Sequence, residues 1–167
     1  MTVLNIRILP DPVLRQKARR VSKIDNSTQK LIDDMIDTMR AANGVGLAAN
    51  QVGVLQRIVV IEIPDEEEVR VLINPEITRR EGEREVDEGC LSIPGYRGEL
   101  TRSVKVRVRA LDRYGKTVRI KAEGLLAQAL EHETDHINGT LYIDHLQNSD
   151  HLWRLSPQEM IGAEDKN

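Results

Sequence analysis

The stretch LLAQALEHETDHING, residues 125–139, constrains the fold more than any other part of this chain. It predicts an α-helix that ends at its last glycine, because glycine readily adopts the left-handed backbone that closes a helix. His132 and His136 lie four positions apart, so both imidazoles project from one face of the helix. Leu125 and Ala129 align with them on this face. The fold must therefore either expose two histidines on a charged surface or bury them together, and joint burial needs a reason.

A metal ion would be such a reason, because two imidazoles one helical turn apart can bind one ion while Glu133 beside them carries a proton. The third ligand does not follow from familiar patterns. A metzincin would place a third histidine where this chain has Tyr142. A thermolysin-like site would take a downstream glutamate. Glu159 and Glu164 are available, but both belong to the C-terminal stretch that we expect to be least ordered.

Cys90, in the stretch EGCLSIPG, is the single cysteine and a better third ligand. A thiolate binds zinc or iron strongly, and a catalytic site keeps three protein ligands and one open position. Gly89 gives the backbone room to turn the sulfur inward. The alternative is an inert buried thiol, which is the usual state of a lone cysteine. We predict that Cys90 binds the metal, because the paired histidines lack another third ligand.

The stretch GVGLAANQVG, residues 44–53, matches the spacing of a dinucleotide-binding loop. That spacing is meaningful only between a strand and a helix. Here a helix precedes the stretch and a strand follows, so we reject a cofactor loop. The stretch is either a structural turn or a flexible backbone wall beside the metal, with the amide of Gln51 available as a donor.

Hydrophobic periodicity predicts helices, then strands, then a helix, an order typical of an α+β fold. We expect antiparallel or mixed β-sheets packed around the helix of residues 125–139. The predicted helices are 10–21, entered through Pro12, and 26–42, capped by Asn26 or Ser27, with a further short helix after Asn148. The predicted strands are 56–63, 69–77, 103–112 and 116–124, and the polar segment 80–89 is expected to be extended.

Length and composition predict one domain, residues 1–167, in which about 148–167 forms a peripheral tail. The net charge is −3, and no basic excess indicates direct contact with nucleic acid. Phenylalanine is absent, so the core is expected to be aliphatic. One cysteine excludes an intrachain disulfide and suits a reducing cytoplasm. We find no signal peptide and no membrane-spanning run, and we expect a monomer.

Three elements, GVGLAANQ, EGCLS and HETDH, stand in one order along the chain. Together they closely resemble the three signature motifs of peptide deformylases, and the resemblance covers about residues 6–146. The uninterrupted EGCLSIPG and the compact length resemble the bacterial and organellar branch of that family.

The resemblance implies an α+β fold and a metal-dependent hydrolase. Such an enzyme removes the N-formyl group from the initiator methionine of nascent polypeptides and releases formate. The metal is expected to be ferrous iron in the cell, with zinc or nickel able to replace it, and the ligand types also allow cobalt.

The resemblance also implies a role for individual residues. Cys90, His132 and His136 would hold the metal, and Glu133 would shuttle protons. Gln51 and the backbone N–H of Leu91 would line the oxyanion hole. The remaining residues would contact the peptide: Gly46 through its backbone, Arg97 near the mouth, and Val45, Leu91, Leu125 and Ala129 around the methionine side chain.

Three further residues carry separate expectations. Asp135 and Arg102 either form a buried pair that fixes the metal helix or remain two solvated charges. Gln128 faces the predicted pocket, where an aliphatic residue would suit methionine better, or it lies at the rim. Residues 151–167 carry only Arg154 and Lys166 as basic residues, so a transient ribosome contact through this tail is not expected.

Two rival functions remain open at this point. One is a different metal hydrolase, which would cleave unformylated peptides or remove longer acyl groups. The other is a structural or redox-sensing metal site, which would need a fourth protein ligand such as His145 or His151.

Overall fold

Two antiparallel sheets and two α-helices form the architecture of the computed structural model, which describes residues 2–159. The helices are α1 (Asn26–Ala41) and α2 (Gly124–Ile137). The strands are β1 (Gly46–Ala48), β2 (Ile58–Ile61), β3 (Arg70–Glu81), β4 (Arg84–Cys90), β5 (Ile93–Arg102), β6 (Lys105–Leu111), β7 (Thr117–Glu123) and β8 (Leu152–Arg154). The predicted α+β class is confirmed.

The larger sheet has the strand order β1-β2-β3-β6-β7 and carries a helix on each face. Strand β2, IVVI, is buried along its whole length because it faces both helices. Val59 and Ile61 pack with Leu130 and Ile137 of α2. Ile58 and Val60, together with Ile73, pack with Ile32, Met35 and Met39 of α1. This core is aliphatic, as the composition predicted, whereas a separate cluster of Ile93, Leu100 and Leu141 includes the buried ring of Tyr142.

Helix α1 begins at Asn26, as predicted, but the residue that caps it precedes both predicted caps. Asp25 is the N-cap, since its carboxylate accepts from the backbone N–H of Thr28 and the Thr28 hydroxyl accepts from the Asp25 N–H. This reciprocal pair satisfies two donors at the helix start. Asn26 and Ser27 therefore lie inside the helix, and both predicted caps were wrong, by one and two positions.

The smaller sheet has the order β4-β5-β8 and was only partly predicted. Most of the segment 80–89, which was expected to be extended, lies in β4, but β5 was missed, because Pro94, Gly95 and Gly98 interrupt its alternation. The C-terminal stretch was expected to hold a short helix. It contains a 3₁₀ turn at Ser149–His151 and then β8, with residues 157–159 helical. Glu164 and Lys166 lie outside the described residues.

The predicted helix at 10–21 was wrong. Only Pro12–Arg15 forms a 3₁₀ turn, and the chain then extends so that Arg19 forms a β-bridge with Gln56. Tertiary pairing has outweighed local helix propensity in this segment. Within the described residues, no helix is both long and apolar enough to cross a bilayer.

Candidate active site

Helix α2 and the end of strand β4 bring three ligand atoms together. Nε2 of His132 lies 3.1 Å from Nε2 of His136, and the sulfur of Cys90 lies 3.3 Å from the same His136 nitrogen. All three ligand atoms lie within 4.8 Å of one another. The helical spacing of the histidines and the β4 terminus thus produce the predicted cluster, although 42 positions separate Cys90 from the first histidine.

Glu88 orients the first of these histidines. Its Oε1 lies 2.7 Å from Nδ1 of His132. Burial opposes ionisation of Glu88, but hydrogen bonds from Arg102 and His132 outweigh it and lower its pKa to about 2. An ionised carboxylate only accepts, so Nδ1 of His132 donates and Nε2 faces the cluster. Such carboxylate–histidine pairs fix the ring of a metal ligand.

Arg102 connects this carboxylate to a second one on α2. Its guanidinium contacts Glu88 at 2.6 and 2.8 Å and Asp135 at 2.7 Å. Arg102 and Glu88 are almost fully buried, and Asp135 is partly buried. Despite the cost of burial, these carboxylates raise the pKa of Arg102. The predicted Arg102–Asp135 pair is confirmed, and it joins the smaller sheet to the metal helix.

Glu133 is buried beside the ligands, and its Oε1 has no hydrogen-bond partner among the described residues. Burial raises the pKa of Glu133 to about 7. Its other oxygen packs on the backbone of β1, where a Cβ added at Gly46 would lie 2.5 Å from Oε2. A carboxyl group that is unpaired, buried and titrates near neutrality is suited to proton transfer.

Gln51 is held in one orientation, in a 3₁₀ turn (Ala49–Val52) that follows β1. Its Oε1 accepts from the backbone N–H of Ala48 at 3.0 Å. Its Nε2 therefore faces the cluster, where it donates to Ser92 Oγ at 3.1 Å and lies 3.8 Å from the sulfur of Cys90. The predicted donor thus lies beside the predicted metal ligand.

A cleft of about 390 Å³ opens onto Cys90, His132 and Glu133. It brings together the other predicted site residues, namely Gln51, Leu91, Val45, Gly46, Leu125, Ala129 and Arg97. Gln128 also lines the cleft, and its amide donates to the backbone oxygen of Asp87 at 3.1 Å. This bond explains how a polar side chain is accommodated there.

Three residues of this region were missed from the sequence. Glu88 precedes Cys90 by two strand positions, and that spacing could have placed it on the same face of β4. Ser92 is fully buried and accepts from Gln51, a contact that no local pattern indicates. Leu155 follows β8, a strand that the sequence did not predict. It lines the cleft because its N–H donates to the backbone oxygen of Gly95.

A closed four-ligand metal site finds no support among residues 2–159. The metal-type cluster there contains only Cys90, His132 and His136. Nε2 of His145, one suggested fourth ligand, lies 2.8 Å from Asp135 instead. Glu159 is exposed and accepts from the Ser156 N–H. The arrangement therefore offers three candidate ligands, the number that a catalytic metal site uses.

Comparison with known proteins finds relatives of this chain at the level of sequence and of fold. Residues 3–151 match a family described as polypeptide deformylase. A peptide deformylase of Dehalococcoides mccartyi (strain CBDB1) is 57% identical over 164 residues, which cover 98% of each chain. One from Halothermothrix orenii is 54% identical over 144 residues, covering 86% of this chain and 94% of the relative.

Solved structures similar to this chain are also peptide deformylases. A peptide deformylase from Legionella pneumophila has a TM-score of 0.84 and 47% identity, covering 99% of this chain and 95% of its own. One from Synechococcus elongatus, in complex with actinonin, has a TM-score of 0.84 and 42% identity, covering 98% and 85%.

Proposed function

This chain belongs to the polypeptide deformylase family, and on that premise we propose that Cys90, His132 and His136 hold its metal, with Glu133 as the proton carrier. The chain is a hydrolase that removes the N-formyl group from the initiator formyl-methionine of nascent polypeptides and releases formate. The observation that carries the proposed roles is the convergence of one thiol and two imidazole nitrogens in a cluster of which Cys90 and His132 line an open cleft.

A divalent ion fits the donor set, since a sulfur and two Nε2 atoms face one another and Glu88 orients one ring. We propose ferrous iron in the cell, with zinc, nickel or cobalt as substitutes, because thiolate and imidazole ligands accommodate all four. When bound, such an ion supplies Lewis-acid chemistry: it lowers the pKa of water and polarises a carbonyl oxygen.

Glu133 is placed to move the proton that hydrolysis requires. Its pKa of about 7, set chiefly by burial, suits a group that must take up and give up a proton near neutrality. Its unpartnered Oε1 is available to accept a proton from the attacking water. The same oxygen can then deliver that proton to the amino group that leaves.

Gly46→Ala should lower kcat for formate release by about 100-fold, because displacement of a catalytic group by about 1 Å has effects of this size. The added methyl would overlap Glu133 Oε2 and push the carboxylate out of position. Steady-state kinetics on formyl-Met-Ala-Ser, with thermal unfolding of the same sample, checks this.

Gly44→Ala is the matched control for that variant. Its new methyl would meet the flexible end of Leu91, at 2.8 Å from Cδ1, and the backbone oxygen of Gly46 at an ordinary contact distance of 3.6 Å, so a much smaller loss is expected. Equal losses in the two variants, or wild-type turnover in Gly46→Ala, would contradict the positioning of Glu133 by Gly46.

Negative charge develops on the formyl oxygen during attack, and two donors lie where they can meet it. We assign these to the Gln51 amide and the backbone N–H of Leu91. The bond from Ala48 keeps the Gln51 oxygen turned away, so the reacting oxygen meets a donor. One donor of this kind typically lowers the barrier by about 3 kcal/mol.

The cleft walls suit a peptide that begins with methionine. Val45, Leu91, Leu125 and Ala129 supply apolar surface for the side chain. Strand β1 is an edge strand, so the backbone of Gly46 can pair with an extended peptide, a common mode of peptide recognition. We place Arg97 at the mouth of the cleft.

Substrate discrimination tests the function directly. Anaerobically purified protein with about one metal per chain should release formate rapidly from formyl-Met-Ala-Ser and deacylate acetyl-Met-Ala-Ser poorly, because a narrow cleft excludes the larger acyl group. Metal content is measured on the same sample. A folded, fully metallated protein that releases no formate, or one that treats both peptides alike, would contradict the proposed use of this site.

The remaining expectations extend this proposal. We propose that residues 1–167 act as one catalytic domain and as a monomer, and that the enzyme works in the cytoplasm, where nascent formylated peptides occur. A transient ribosome contact would bring the cleft to its substrate. Gel filtration with light scattering tests the monomer.

A further inference from the structure

Strands β3, β6 and β7 carry cations side by side on their solvent-facing side. Arg79 of β3 is directly opposite Arg107 of β6, which is in turn opposite Lys121 of β7. Arg109 is opposite Arg119 in the next row. These five exposed residues, Arg79, Arg107, Arg109, Arg119 and Lys121, form what we call the basic face.

Like charges directly opposite in a sheet are destabilising. Among the described residues, no carboxylate forms a salt bridge with any of the β6 and β7 cations of the basic face, and only Arg79 has a partner, Glu81, at 2.7 Å. Glu76 of β3 is directly opposite Arg109, and Glu81 of β3 and Glu123 of β7 flank Lys105. In the row formed by Arg79, Arg107 and Lys121, no carboxylate is directly opposite any of the three cations.

The basic face contrasts with the chain as a whole. The net charge of −3 argued against nucleic-acid contact, but a whole-chain sum does not describe how charge is distributed. A shallow groove of about 250 Å³ crosses this face and is lined by Arg79, Lys105, Arg107 and Lys121 with Glu81 and Glu123. The positive charge is therefore concentrated on one face of the protein, where part of it lines a concave surface.

We propose that the basic face docks on the phosphate backbone of ribosomal RNA. Four of its five cations are arginines, whose planar guanidinium matches phosphate geometry. Strands β3, β6 and β7 contain no aromatic residue, so stacking on bases is not offered and contact is limited to the backbone. The expected binding is salt-dependent and independent of base sequence.

The choice of ribosomal RNA rests on the deformylase function. The substrate is a nascent chain, which is attached to a ribosome and emerges beside exposed RNA. A contact that releases counterions forms rapidly and dissociates readily, which suits an enzyme that must visit many ribosomes. An acidic ribosomal protein is the competing partner, and the experiment separates the two.

The basic face and the cleft are separate surfaces. The groove lies on strands β3, β6 and β7, whereas the cleft is lined from β1, β4, β5, α2 and the adjoining segments, and the two share no lining residue. Substitutions that replace the cations of the basic face by uncharged residues should therefore leave kcat/KM on free formyl-Met-Ala-Ser unchanged. Docking can fail in the experiment while deformylation persists, so the two proposals are tested independently.

The test is co-sedimentation of the metallated full-length protein with purified ribosomes at several salt concentrations. Arg107→Gln/Lys121→Gln should weaken binding at low salt by about tenfold or more and reduce the slope of log K against log[salt] by about 1.5. Arg20→Gln/Lys23→Gln removes the same charge from exposed positions elsewhere and should bind like the wild type. Protein-free ribosomal RNA is the second probe, and it should show the same ranking.

Three outcomes would overturn the proposal. Equal losses of ribosome binding in the two double variants would mean that binding depends on the net charge of the protein and not on the basic face. Loss of ribosome binding without any binding to protein-free RNA would assign the face to an acidic protein. If the wild-type protein sediments with neither ribosomes nor protein-free RNA at low salt, the basic face does not dock on ribosomal RNA, whatever the activity on free peptide.

Discussion

Glu133→Gln should keep its metal and lose formate release by about 10²–10⁴-fold in kcat, the usual range for removal of a general acid–base group. Glutamine preserves the size of the side chain but cannot take up the proton of water. The buried position, the unpartnered Oε1 and the pKa of about 7 all indicate that this carboxyl acts in proton transfer. Formate release and metal analysis on one preparation measure both quantities.

Glu131→Gln is the matched control, on the same helix two positions away. Glu131 is also buried, but its oxygens accept from the N–H and hydroxyl of Ser103 and contact Arg80. Its replacement should reduce stability and leave kcat near wild type. A Glu133→Gln enzyme that turns over normally would show that the proton takes another route. Loss of the metal in that variant would instead indicate a structural role.

Arg102→Ala should lower the free energy of unfolding by about 3–5 kcal/mol, because removing one partner leaves buried charges uncompensated. Glu88 would lose two hydrogen bonds while 4% of its side chain is exposed, and Asp135 would lose one. His132 would also lose its oriented partner, and metal affinity should fall by about 10-fold or more. Urea unfolding and competitive metal titration measure these effects.

Arg40→Ala removes an arginine from an exposed ion pair with Glu62 and serves as the control. Its cost should be below about 1 kcal/mol, the range of surface pairs. Unchanged stability and metal content in Arg102→Ala would mean that the Arg102 bridge between the smaller sheet and α2 has no energetic importance. A stability loss without weaker metal binding would limit Arg102 to the fold.

Local sequence signals were sufficient to predict those features that depend on a single helix or strand. The histidine pair and Glu133 follow from helical spacing alone, and β2 follows from its uninterrupted β-branched run. Cys90 required an argument by elimination, because nothing in EGCLS shows which helix it faces. The family resemblance supplied the remaining cleft residues, all of which line one cleft in the structure.

Tertiary contacts explain what the sequence did not reveal. Glu88 gains its role only when Arg102 and His132 approach it from two other elements. Strand β5 was hidden by its proline and glycines, although Gly98 is needed there because Tyr142 packs against it, with Cε2 2.8 Å from the position a Cβ would take. The predicted N-terminal helix failed because a partner at Gln56 draws the chain into an extended path.

The register shift between Glu88 and Cys90 has a consequence for how this gene can vary. Strand β4 changes its pairing with β5 at that point, where Cys90 pairs with Ile93 and its sulfur lies 3.3 Å from Nε2 of His136. One inserted or deleted codon there would turn either Glu88 or Cys90 to the opposite face, since side chains alternate along a strand. The acidic segment PDEEE, residues 64–68 between β2 and β3, contains no residue of the ligand cluster or of the cleft, so its length is not constrained in this way. Length variation and peptide tags should therefore be tolerated in that turn and eliminated at residues 88–90.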